Sequence, residues 1–269
     1  MKRWGIVLLA LVFVGGLSAA AWGDTLADVK AKGVLVVGIK DSAPPFGFID
    51  QTTREIIGYD VDFCKAIAKK LGVKLEIKAV TSATRMPQLA AGNIDLIAAT
   101  MTITAERAKQ IDFSYTYFLT GQKFLTKKGT VNALVDLVGK KIGTAKGSTS
   151  EQNAAKALPT ATILSFDDYP SAFLALQQGK VVAVTTDESM LAGLLGKAPN
   201  KEAFEIPDIR ISDEPYGLGI RKGDKGLLDA VNATLLEMEK SGEAAKIFGK
   251  WFGPKTDTPL QRTFKIMAQ

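Results

Sequence analysis

The 269-residue chain carries 34 Lys and Arg against 28 Asp and Glu, with one Cys and no His. The lack of His excludes His-dependent catalytic triads and His-rich zinc sites, and the lone Cys64 excludes an intramolecular disulfide. The positive excess is mild and spread along the chain, with no basic block or aromatic stacking platform, which argues against a nucleic-acid partner.

The chain opens on Met1-Lys2-Arg3, followed by an uncharged apolar run from Ile6 to Ala21 that ends in Ala19-Ala20-Ala21. A positive start, a short apolar run and small residues form a secretory signal, expected over residues 1–23. The run is shorter than the ~20 residues of a spanning helix, so cleavage is expected rather than anchoring. Removing Lys2 and Arg3 leaves a net charge of +4. The mature chain is then expected in the periplasm, and no later apolar segment is long enough to cross a bilayer.

Val34–Ile39, a continuous apolar run, predicts a strand buried on both faces. The loop Lys40 to Phe48 follows, forced by Pro44 and Pro45. Gly58-Tyr59-Asp60 opens an amphipathic helix that runs to Leu71 and stops at Gly72, with Cys64 on its apolar face. Strands over Lys74–Val80 and Ile94–Ala99 flank a short helix that starts near Arg85 and stops at Gly92. Strands alternating with helices imply crossover units and a parallel sheet, and polar residues then gather beyond strand C-termini: Lys40 with Asp41, Ser82 with Arg85, Thr100 with Thr102.

A second α/β set begins beyond Gly121, with strands over Lys140–Thr144, Thr162–Phe166 and Val181–Thr186 and helices from Gly147-Ser148-Thr149 and over Pro170–Gln178. Gly92-Asn93 followed by Ile94–Ala99 and Thr100 matches Gly179-Lys180 followed by Val181–Thr186 and Asp187. Thr100 and Asp187 thereby stand at equivalent edges of two similar units; chance is the alternative, since helix-Gly-strand is common in α/β folds. Tyr216–Ile220 reads as one more strand, Lys225–Lys240 as an amphipathic helix, and a last helix ends near Phe252. Two extended crossings, near residues 117–121 and 212–215, would join the units around a cleft.

The stretch Thr100 to Gly121 connects these features. Thr104 reads as the N-cap of a short helix carrying Glu106 and Arg107, a place where backbone N–H groups and a guanidinium suit a carboxylate. A capped surface helix with a solvated ion pair is the alternative reading of these residues alone.

Several motifs resemble those of periplasmic solute-binding proteins of polar amino-acid ABC importers, and within them the glutamate/aspartate-binding branch. They are Ser82-Ala83-Thr84-Arg85-Met86-Pro87, Thr102-Ile103-Thr104-Ala105-Glu106-Arg107 with Asp112-Phe113-Ser114, Gly147 to Glu151, Thr186-Asp187-Glu188, Tyr216-Gly217, and Ser241-Gly242-Glu243 with Lys250-Trp251-Phe252. The resemblance spans the mature chain. It implies a type II periplasmic-binding-protein fold of two α/β lobes, residues 24–117 plus 213–269 and residues 118–212, joined by two hinge crossings.

It also implies roles. Arg107 would grip a ligand α-carboxylate, helped by Thr102; Asp187 would accept the α-ammonium, with Thr100 beside it; Ser148 and Thr149 would donate to a carboxylate. Ser82 and Arg85 would meet a side-chain carboxylate. Lys40 and Tyr169 stand where the branch usually has Arg and His, which leaves glutamate against aspartate open and could loosen selectivity toward glutamine or asparagine. Phe46 and Phe48 would cover the ligand or pack in the core. The expected function is capture of glutamate or aspartate by a monomer that delivers it to an inner-membrane ABC permease, without cofactor or metal. Another polar amino acid such as glutamine is one alternative. A secreted cyclohexadienyl or arogenate dehydratase, with Glu188 or Asp168 as general acid, is the other.

Overall fold

A computed structural model describes residues 25–268. The signal segment expected over residues 1–23 lies outside the described residues. The apolar runs build two sheets, each flanked by helices. In the first lobe the order is Lys74–Ala79, Val34–Ile39, Leu96–Ala98, Gly219–Arg221, Ile111–Phe113. In the second it is Thr162–Phe166, Lys141–Ala145, Ala183–Asp187, Phe118–Lys127, Phe204–Glu205, with Ser212–Tyr216 also paired to Phe118–Lys127.

Three strands of each unit share one arrangement: Val34–Ile39, Lys74–Ala79 and Leu96–Ala98 in the first, Lys141–Ala145, Thr162–Phe166 and Ala183–Asp187 in the second. The earliest lies between the other two and pairs with both in parallel. Leu96–Ala98 and Ala183–Asp187 therefore hold the same place, and Thr100 and Asp187 fall at matching edges of the two sheets. Neither sheet is wholly parallel, because strands that enter from the other lobe need no crossover helix. Gly219–Arg221 and Phe118–Lys127 both pair antiparallel with their neighbours.

The apolar stripe of the Tyr59–Leu71 helix buries Val61, Phe63, Cys64 and Ile67. Gly72, at φ 73°, closes that helix in the left-handed conformation that glycine adopts without a Cβ penalty. The Tyr216–Ile220 run is not one strand. Ser212–Tyr216 ends at Tyr216 and Gly219–Arg221 restarts the ladder, because the chain changes sheets at Gly217-Leu218. The crossing expected near 117–121 is the start of a ten-residue strand, Phe118–Lys127. Its first residues pair with Ser212–Tyr216, so the two crossings form one hydrogen-bonded ribbon.

Aromatic packing stiffens this ribbon. Phe46, fully buried, meets Phe118 and Tyr216 edge-on at centroid distances of 4.8 and 5.5 Å, and Phe252 lies 5.0 Å from Phe118. Edge-to-face pairs of this kind add about 0.5–1.5 kcal/mol each beyond area burial. Phe48 instead packs on Trp251 and under the Lys197 ammonium. Among the described residues no helix is long and apolar enough to cross a membrane.

Candidate functional site

The edge of the first lobe's sheet leads to Thr100, which adopts φ 48°, a left-handed conformation that costs a β-branched residue energy and needs support. That support is buried and polar. The Thr100 N–H donates to Asp60 Oδ2 at 3.1 Å, and Lys40 Nζ donates to Thr100 Oγ1 at 2.9 Å. Arg85 Nη1 donates to the carbonyls of Ala99 and Thr100, at 2.5 and 3.2 Å. Asp60 Oδ1 accepts from the Tyr117 hydroxyl at 2.7 Å.

Four residues on, the Thr104 side chain accepts from the Arg107 N–H and caps the Ala105–Ala108 helix, as the sequence predicts. The Arg107 guanidinium is not a solvated surface group. It is 9 % exposed, donates from Nη1 to Thr102 O at 2.9 Å and reaches Gly147 O in the opposite lobe at 3.4 Å. The lobes are in contact here, since a Cβ added at Gly147 would lie 2.8 Å from Ala83 Cα.

Ser148 and Thr149 begin the Thr149–Ala157 helix, and both hydroxyls are engaged. Ser148 Oγ donates to Ala145 O at 2.6 Å and accepts from the Glu151 N–H, so its hydroxyl proton is held within its own lobe. Thr149 Oγ1 donates to Glu214 Oε2 at 2.8 Å, and Thr102 Oγ1 donates to the same oxygen at 2.5 Å. On the second lobe, Asp187 Oδ2 accepts from the Tyr216 hydroxyl. Tyr169 places its hydroxyl 3.3 Å from Ser150 Oγ, and the Lys40 ammonium lies 5.2 Å from its ring centroid.

Lys40, Ser82, Arg85, Thr100, Thr102, Arg107, Thr149, Tyr169 and Asp187 are all buried. Burial dominates their electrostatics. It raises Asp187 to about 7, with Glu214 adding to the rise, and raises Asp60 to about 6. It lowers Arg85 to about 9, helped by Arg107, and takes Lys40 well below the ordinary lysine range, helped by Arg85. Each shift reflects a charge withdrawn from water. Among the described residues, three of the buried polar atoms without a hydrogen-bond partner belong to this site: Ser82 Oγ, Arg85 Nε and Asp187 Oδ1. Two of these can donate and the third accepts, so the site suits a ligand bearing both an acceptor group and a cation. No acidic or Cys cluster able to hold a metal occurs among the described residues.

Phe46 does not line this site, because the aromatic core beneath Tyr216 encloses it. Sequence reasoning missed Asp60, Tyr117 and Glu214. Glu214 lies within an expected crossing, and an acid at a hinge is the signal that could have marked it.

The chain is 40 % identical over 242 residues to the ABC transporter glutamine-binding protein GlnH of Bacillus subtilis (strain 168), covering 88 % of each. It is 33 % identical over 284 residues to the glutamate/aspartate import solute-binding protein of Escherichia coli (strain K12), covering 99 % of this chain and 94 % of that one. The expected kinship with the glutamate/aspartate branch is thus weaker than that with a glutamine-binding protein. An ancestral arginine-binding protein bound to glutamine superposes with a TM-score of 0.78 at 44 % identity, over 82 % of this chain and 98 % of the other. Residues 35–254 match the model of the bacterial extracellular solute-binding proteins, family 3, and the chain belongs to that family.

Proposed function

We propose that the cleft captures a polar L-amino acid with an uncharged side chain, glutamine foremost, and that the loaded protein delivers it to an ABC import permease from the periplasm. Arg107 takes the α-carboxylate and Asp187 Oδ1 the α-ammonium, while Arg85 Nε and Ser82 Oγ turn to the side-chain oxygen. The observation that carries this reading is the charge content of the cleft. Three buried cations, Lys40, Arg85 and Arg107, face three buried acids, Asp60, Asp187 and Glu214. A neutral amino acid preserves that balance, whereas glutamate or arginine adds a buried charge without a counterion, which is costly. The identity to the glutamine-binding protein points the same way.

A second reading, the dicarboxylate, is favoured by Lys40 and Arg85. Both are buried, and Arg85 lowers the proton affinity of Lys40, so an anion beside them would offset that repulsion. The dehydratase reading loses its acids. Asp168 Oδ1 caps a helix by accepting the Ser171 N–H at 2.8 Å, and Glu188 pairs with Lys123 at 2.9 Å.

Calorimetry of ligand-stripped protein with glutamine, glutamate, aspartate and arginine separates these readings. Tightest binding of glutamine is expected. Saturation by glutamate or aspartate with no heat from glutamine establishes the dicarboxylate reading instead.

A further inference from the structure

Among the described residues, Glu214 accepts four side-chain hydrogen bonds, more than Asp60 or Asp187 beside the cleft. It lies on the Ser212–Tyr216 crossing strand and is 1 % exposed. Its Oε2 accepts from Thr102 Oγ1 of the first lobe at 2.5 Å and from Thr149 Oγ1 of the second at 2.8 Å. Its Oε1 accepts from Asn153 Nδ2 at 2.9 Å and Ser212 Oγ at 2.5 Å. All four contacts are donors into two oxygens, which suits an acceptor-only carboxylate. Its charge also acts on both residues proposed for the ligand's α-groups, raising the proton affinity of Arg107 and of Asp187.

We propose that Glu214 is a positioning residue for ligand capture: it brackets Thr102 and Thr149 across the closed cleft, and its charge biases the site against acidic ligands. The bracket forms only when the lobes meet, because Thr102 and Thr149 reach Glu214 from opposite lobes. Ligand escape therefore breaks one or both of these bonds. The charge component rests on the neutral-ligand reading above. Without Glu214 the buried cluster keeps three cations against two acids, and one added carboxylate restores the balance.

Glu214→Gln tests both parts, because it keeps the size of the side chain while removing the charge and replacing one acceptor with a donor. Stopped-flow and calorimetric measurements with glutamine and with glutamate are expected to show glutamine affinity falling by about tenfold or more, chiefly through faster dissociation. Glutamate affinity should fall less or rise, so that the preference for glutamine narrows. An equal loss for both ligands, with a lowered melting point of the ligand-free protein, would reduce Glu214 to a structural residue. Thr149→Val keeps the charge and removes one arm of the bracket. It should speed glutamine dissociation while leaving the ratio of the two ligands unchanged, and an unaltered dissociation rate overturns the bracket even if the Gln variant fails to fold. Wild-type protein that binds no glutamine would sink the neutral-ligand reading itself, and the Thr149→Val dissociation rate, followed with whichever amino acid binds, would still judge the bracket.

Discussion

The Tyr216 hydroxyl donates to Oδ2 of Asp187 and leaves Oδ1 buried with no partner. One residue belongs to the crossing strand and the other ends a strand of the second lobe, so the hinge itself orients the acceptor proposed for a ligand ammonium.

This geometry gives a pH dependence. Burial, with Glu214 adding to it, raises Asp187 from about 3.8 to about 7. An ammonium draws on the ionised form, so affinity for a neutral amino acid should fall as pH drops from 8 to 5, approaching about tenfold per unit below the pKa. Ligand-free stability should move the other way. A carboxyl whose folded pKa lies above its unfolded value holds its proton longer when folded, so stability is lost as pH rises between the two values. Asp60, raised to about 6, acts in the same sense. Titration calorimetry and melting curves from pH 5 to 8 check both trends. Asp187→Asn should bind weakly and flatten the affinity profile.

Arg107→Ala should cost about 2–5 kcal/mol of binding, the usual loss when one partner of a buried, hydrogen-bonded charge pair is removed. The loss should be the same for every amino acid that binds, since all share the α-carboxylate. Arg107→Lys should recover only part of it, because a point charge replaces a fork that reaches Thr102 O and Gly147 O together. Calorimetry over several amino acids reads this directly, and a loss confined to one ligand would move Arg107 to side-chain recognition.

Much of this site was legible because its signals are local. The Thr104 cap, the Tyr59–Leu71 helix with its Gly72 stop, and the equivalent edges at Thr100 and Asp187 follow from period, capping and the spacing after Gly92 and Gly179. What stayed hidden depends on partners far apart in the chain. Thr102 and Glu214 are 112 positions apart, and no local pattern marks an acid in Asp213-Glu214-Pro215 as the acceptor for both lobes. Phe46 was ambiguous for the same reason, since only the folded chain sets it against Phe118 and Tyr216. Ser148 had the composition of a ligand donor, but its hydroxyl turns back to Ala145 and Glu151.

Arg85→Met should lower both stability and selectivity. Arg85 is 2 % exposed, with Nη1 on two backbone carbonyls, Nε without a partner and its pKa lowered to about 9, first by burial and then by Arg107. The substitution removes the donor to Ala99 O and Thr100 O that supports the left-handed Thr100, and taking one charge out of a buried cluster typically costs about 3–5 kcal/mol. The ligand-free melting point should therefore fall. Binding should weaken for glutamine and more severely for glutamate, because the cluster loses a cation as well as a donor. Equal losses for the two ligands would show that Arg85 does not read the side chain.

Closure can be blocked without touching a ligand group. Gly193 lies in the Glu188–Gly196 helix of the second lobe, and a Cβ there would come within 2.0 Å of the Pro44 carbonyl oxygen in the first. The obstacle is backbone, so it cannot swing aside as a side chain would. Gly193 has no positive φ, and alanine favours a helix, so the ligand-free open protein should fold as well as the parent or better. Gly193→Ala should therefore penalise only the closed state, by about the 1–3 kcal/mol typical of overpacking. Small-angle scattering with saturating glutamine should show a larger radius of gyration than the parent, with affinity reduced for all ligands alike. A variant that compacts and binds as tightly as the parent would mean that ligand capture does not need the Pro44–Gly193 contact.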